Sequence, residues 1–308
     1  MVKIKKNNKS IIDETLHYPD FLDNVKTEVV FKITKQIDSM IKRNINQINT
    51  VINLDNNRYF DKLILNLNLN FDTDINDKYN YGASSISSET IKNEKLSDGE
   101  INLIVPVSTD KKTNFSKIQY VVCHEITHLF DDWNDLKRGG TGIFSSPKTI
   151  ANMNFMNKAV NSPNNLIRSL RWLAYFSIYT ESNAFTQQLM QELIRLKANH
   201  ITVKEKYKNT VSYNNLKKTE VEFFNALHDT NHIELMYANN EINRNYKDST
   251  VPKLNDEQFD SKKYYNMLKK WGERILHKIS KRFHGIVQLY CDKLTESYYN
   301  NNCFLIHE

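Results

Sequence analysis

The chain has 308 residues, enough to bury a substantial core in one large domain or two. With 40% hydrophobic and 25% charged residues and a mean hydropathy of −0.60, it has the composition of a soluble globular protein, and no stretch approaches the ~20 apolar residues of a membrane span. The formal net charge is +6, but the Lys and Arg are spread along the whole chain, which reads as solvated faces and gives no strong nucleic-acid signal.

The three cysteines, Cys123, Cys291 and Cys303, are odd in number and far apart, a pattern that suits a reducing compartment better than a disulfide framework. The basic N-terminus is not followed by the apolar run of a secretory signal. The expected location is therefore intracellular, cytoplasmic or virion-associated, with no signal peptide.

Taken in order, residues 1–20 read as an irregular tail. From Leu22 through Val25, Val29, Ile33, Ile37, Met40, Ile41, Ile45, Ile48 and Ile52 the apolar residues recur in steps of three and four, which predicts one long amphipathic helix. The period then changes: Leu63, Leu65, Leu67, Leu69 and Phe71 alternate with Ile64, Asn66, Asn68 and Asn70, the pattern of a half-buried strand. Tyr81–Ser87 and Ile101–Val107 are two further strand candidates, with Pro106 arguing against a central ladder position at that end.

Residues 116–133 follow, and they carry His124, Glu125 and His128 as H-E-x-x-H. Ser116 with Gln119 resembles a capping box, and Ile118, Val122, Ile126, Leu129 and Trp133 keep helical spacing on the side away from the histidines. Residues four apart share a helix face, so the two imidazoles can grip one ion. Zinc accepts neutral imidazole, and a catalytic site uses three protein ligands with a fourth position left for water. Glu125 is placed to reach that water as general base. Cys123 is turned about 100° from His124 and reads as a buried free thiol.

Gly139, Gly140 and Gly142 would then stop the helix. Residues 164–198 read as helical in two pieces, the second beginning near Thr180. The remainder reads as helix and loop. Val221, Phe224, Leu227 and Leu235 mark one segment, a polar linker runs around 240–257, and a last long helix carries Tyr264, Leu268, Trp271, Ile275, Ile279, Phe283, Ile286 and Tyr290 on an apolar stripe that reads as core.

The motif His124-Glu-Ile-Thr-His128 followed by Glu181-Ser-Asn-Ala184 resembles the zincin metallopeptidases whose third ligand is a glutamate, the gluzincin type. Asp131 and Asn134 stand where the metzincin pattern requires other residues, which excludes that subclass. The resemblance implies an α+β zincin-like domain over 21–198, with a small, mostly antiparallel sheet, the H-E-x-x-H helix and a second ligand-bearing helix, followed by a helical C-terminal region over 199–308. It implies Zn2+ on His124, His128 and Glu181, with small Ala184 allowing close approach, and hydrolysis of peptide bonds in a peptide or protein lying extended beside an edge strand, here Tyr81–Ser87. Such enzymes often add a Tyr or His at the oxyanion; Tyr179 and His232 are the catalytic candidates, with His228 four residues before His232.

The sequence departs from the family pattern at Phe185, where many gluzincins have an Asp supporting the ligands; Asp131, Asp132 or backbone carbonyls can substitute. Two other readings stand beside the peptidase. One is a non-catalytic phage or mobile-element structural or regulatory protein that retains the fold. The other is an anion- or nucleic-acid-binding module using the basic C-terminal helix.

Overall fold

The computed structural model describes residues 19–53, 60–71, 82–86, 96–137, 146–255 and 258–291. It is an α+β fold, mostly helical, with one small mixed sheet. Backbone contacts divide it into two compact units, the first ending at Gly142 and the second covering Ile143–Glu296.

In the first unit, helix α1 (Pro19–Arg43) buries Val29, Ile33, Ile37, Met40 and Ile41. It stops earlier than the periodicity predicts. Asn44 takes a left-handed backbone conformation with φ of 58°, and the Ile45 N–H bonds back to the Met40 carbonyl at 3.0 Å, the six-residue closure of a Schellman end. Gln47–Asn53 then forms strand β1, so the expected helix over Ile45–Ile52 is corrected. A spacing of four, as between Ile48 and Ile52, fits a strand as well as a helix because it is even.

Strands β2 (Phe60–Phe71), β3 (Gly82–Ile86) and β4 (Leu96–Val107) complete a four-stranded sheet in the order β1-β2-β4-β3. β1 and β2 are antiparallel, β3 and β4 are antiparallel, and the central β2–β4 ladder is parallel. The expectation of a mostly antiparallel sheet thus holds at both edges, while the longest pairing has the other sense. β3 is an edge strand, in agreement with the Tyr81–Ser87 expectation over the five residues described. Pro106 pairs with Asn70 on the β2 side. On the other side the β3 ladder reaches only Leu103, so the missing N–H costs no bond with β3.

Leu63, Leu65, Leu67 and Leu69 of β2 and Ile101, Leu103, Val105 and Val107 of β4 face one core, which also takes the apolar residues of α1 and of helix α2 (Phe115–Lys137). The opposite sheet face is polar. Asn49, Asn66 and Asn102 stand in line across three strands, linked by side-chain bonds of 2.6 and 2.8 Å, and Asn66 also donates to Glu100 at 2.6 Å. The glycine stop expected at Gly139–Gly142 lies outside the described residues.

The second unit is helical: α3 (Pro147–Ala159), α4 (Asn165–Ser177), α5 (Tyr179–Arg195), α6 (Val203–Lys208), α7 (Val211–Asp229), α8 (His232–Asn245) and α9 (Ser261–Cys291). The two-piece helix expected over 164–198 is α4 and α5. The single segment expected through Leu235 is two helices, because Asn231 accepts from the Glu234 N–H while the Glu234 carboxylate accepts from the Asn231 N–H. That capping box starts a new helix at His232.

α9 is the axis of this unit and packs against α4, α5, α6, α7 and α8. All eight members of its apolar stripe are buried. Among the described residues no helix is long and apolar enough to cross a membrane.

Candidate metal centre

Helix α2 starts one residue before the expected Ser116, and its cap is Asn114, whose side chain accepts from the Lys117 N–H at 3.1 Å. Ile118, Val122, Ile126 and Leu129 are each at most 2% exposed, so this stripe holds α2 on the sheet. On the other side, the Nε2 atoms of His124 and His128 are 3.0 Å apart with their rings nearly perpendicular, at 88°. Glu125, Thr127, Asp131 and Asp132 are buried along the same stretch. Cys123 is a buried free thiol, as expected, and its carbonyl accepts from the Thr127 hydroxyl at 2.8 Å.

Helix α5 has a different character. Its first turn carries Glu181, 2% exposed, and Thr180, Ser182, Asn183, Thr186, Gln187, Gln188 and Glu192 are buried with it. Several of these groups are satisfied inside the second unit. Arg282 of α9 donates to the Ser182 hydroxyl at 2.9 Å, and Ser182 donates to the Tyr179 carbonyl at 2.8 Å. Glu192 accepts from the Ser212 hydroxyl at 2.7 Å, the Ser212 backbone N–H at 3.2 Å and the Gln188 amide at 2.9 Å. Burial raises the Glu192 pKa above the usual carboxylate value, and these hydrogen bonds offset only part of that rise. Phe185, at the position where the family pattern has Asp, packs edge-to-face on Phe176 at 4.9 Å.

His124, His128 and Glu181 form a group whose ligand atoms all lie within 4.8 Å of one another. The group is buried, with His124 its most accessible member. Its donor set fits a divalent cation: two imidazole nitrogens and one carboxylate match a three-ligand catalytic zinc site. Bonds of about 2.0–2.1 Å at a tetrahedral angle put two nitrogens ~3.3 Å apart, close to the spacing of the His124 and His128 atoms. The same donors also suit other divalent transition metals. No family model, curated protein or solved structure matches the chain.

The other sequence candidates stand outside this group. Tyr179 is the first residue of α5, 49% exposed, with the Arg282 guanidinium 4.8 Å from its ring. His232 is exposed at the start of α8, its ring 5.7 Å from that of Phe259. His228 belongs to α7, is 85% exposed and contacts Asp229, so the two histidines do not share a helix face. Sequence reasoning missed Arg282 and Glu192. Arg282 lies on the polar side of α9 among many Lys and Arg, and only the fold singles it out.

Proposed function

We propose that the chain is a zinc-dependent peptidase of zincin type, with His124, His128 and Glu181 holding the metal and Glu125 acting as general base. The observation that carries this reading is the convergence of two imidazoles and one buried carboxylate around a space suited to one cation. A divalent cation bound there supplies a Lewis acid that polarises a substrate carbonyl and acidifies water. Glu125 directly follows the first ligand on α2 and is 5% exposed; in this reading its carboxylate takes a proton from the attacking water and returns it to the leaving amine.

His128 is one helical turn before Asp131 and Asp132, which are 5% and 9% exposed. These carboxylates are the residues we assign to orienting the ligand rings, in place of the Asp that Phe185 replaces. β3 is the edge strand we assign to an extended peptide substrate. Tyr179, two residues before Glu181 on the same turn, is better placed than His232 for the oxyanion role.

Metal analysis by mass spectrometry, on protein purified without added metal, tests the reading. About one zinc per chain is expected, retained in Glu125→Gln and largely lost in Glu181→Ala. Glu125→Gln should also abolish cleavage of a peptide library that the parent cleaves. Wild-type protein that takes up no zinc after reconstitution overturns the assignment.

A further inference from the structure

Among the described residues Arg282 is a cation without an anion. The residue is half-buried, and its guanidinium donates to the Ser182 hydroxyl at 2.9 Å and lies 4.8 Å from the centre of the Tyr179 ring. Among the described residues no carboxylate pairs with it. Withdrawing a charge from water without a counter-charge is unfavourable, yet two residues of α5 hold this one in a fixed place. Ser182, which receives its hydrogen bond, directly follows Glu181. Tyr179 is itself 49% exposed. Lys278 stands 5.8 Å from the same ring.

We propose that Arg282 is a substrate-binding residue that takes a carboxylate of the peptide, either an acidic side chain or the C-terminal carboxylate, within a few residues of the bond cleaved. This rests on the peptidase reading and deepens it by naming the substrate class. Only one guanidinium nitrogen is engaged by Ser182, so the remaining N–H donors can meet a carboxylate in the planar, two-point geometry that Arg favours. The Tyr179 ring backs the guanidinium and limits its rotation, which lowers the entropy lost when a ligand binds. An extended peptide advances about 3.3 Å per residue, and Ser182 adjoins Glu181 in the chain. A peptide of a few residues is thus long enough to reach from the anchor to the Glu181 carboxylate.

The test uses the full chain as Glu125→Gln, loaded with zinc, and three fluorescently labelled octapeptides read by anisotropy. One is acidic and C-terminally amidated, one is neutral with a free C-terminus, and one is neutral and amidated. Binding of one or both carboxylate peptides should exceed that of the neutral amide by about tenfold or more, and the arm that gains identifies the source of the carboxylate. Adding Arg282→Ala should erase the preference, while Arg282→Lys should keep part of it, since Lys retains the charge but not the planar fork. Thermal melts of both variants confirm that they fold. Equal binding of all three peptides, or a preference unchanged in Arg282→Ala, overturns the anchor and leaves the metal centre standing. Absence of binding by any peptide to the zinc-loaded protein overturns both the anchor and the peptidase reading.

Discussion

The two helices that carry His124, His128 and Glu181, α2 and α5, are built on opposite plans. α2 divides its surface: one stripe of Ile118, Val122, Ile126 and Leu129 is held by apolar burial, and the other side carries His124 and His128. α5 is buried along most of its length yet polar on several sides, and it is held by hydrogen bonds such as Arg282 to Ser182 and Ser212 to Glu192. Hydrophobic packing is non-directional and tolerant, whereas a buried polar network demands that every partner be in place. His124 and His128 on α2 are thus positioned by the way a helix rests on a sheet. Glu181 is positioned by a helix whose setting depends on individual donors and acceptors.

This contrast can be broken from either side. The largest effect is expected from the apolar plan: Leu129→Ala should cost about 2–5 kcal/mol of stability, read as a lower urea midpoint with unchanged slope. Next come the ligands. His128→Ala and Glu181→Ala should each weaken zinc binding by ~100-fold or more, about 2.7 kcal/mol, by competition with a chelator.

The polar plan yields two smaller tests. Burial raises the Glu192 pKa, so the folded state favours the protonated carboxyl. That contribution is complete below the ordinary value of about 4.3 and is lost as pH rises through the higher folded value. Glu192→Gln keeps a neutral acceptor for Ser212 and should gain stability relative to the parent as pH rises above about 4.3. Parallel thermal melts across that range check it; parallel curves would show that the carboxyl is not the source. Last, the Gln187 amide nitrogen is buried with no partner among the described residues. Gln187→Met preserves its length and should stabilise the fold by about 1 kcal/mol, measured by the same melts.

What the sequence discloses follows the same divide. The α2 motif and its stripe are readable because H-E-x-x-H combines a specific chemistry with a helical period, and β2 is readable from its alternation of Leu with Asn. Glu181 was reached only through a family resemblance, since nothing in the spacing of Thr180-Glu-Ser-Asn says that this turn is buried. The end of α1 escaped because Asn44 is as polar inside a helix as after one, and only its left-handed φ closes the helix. α3 escaped because Pro147–Ala159 buries only Asn152, Phe155 and Ala159, too few apolar residues to produce a stripe. The Arg282–Ser182 contact joins residues 100 apart in the chain, a distance over which local pattern carries no information.

Gly99 gives the sheet a say in the chemistry above it. A side-chain carbon there would lie 2.8 Å from Leu63 Cδ2 and 3.0 Å from Leu129 Cδ1. The bare backbone of β4 thus leaves room at this point for Leu129 of α2 to pack against the sheet. A methyl group at position 99 would press on the ends of two leucine side chains, one of them on the helix that carries His124 and His128. A residue with no donor atom of its own thus lies directly beneath the helix that carries both histidines.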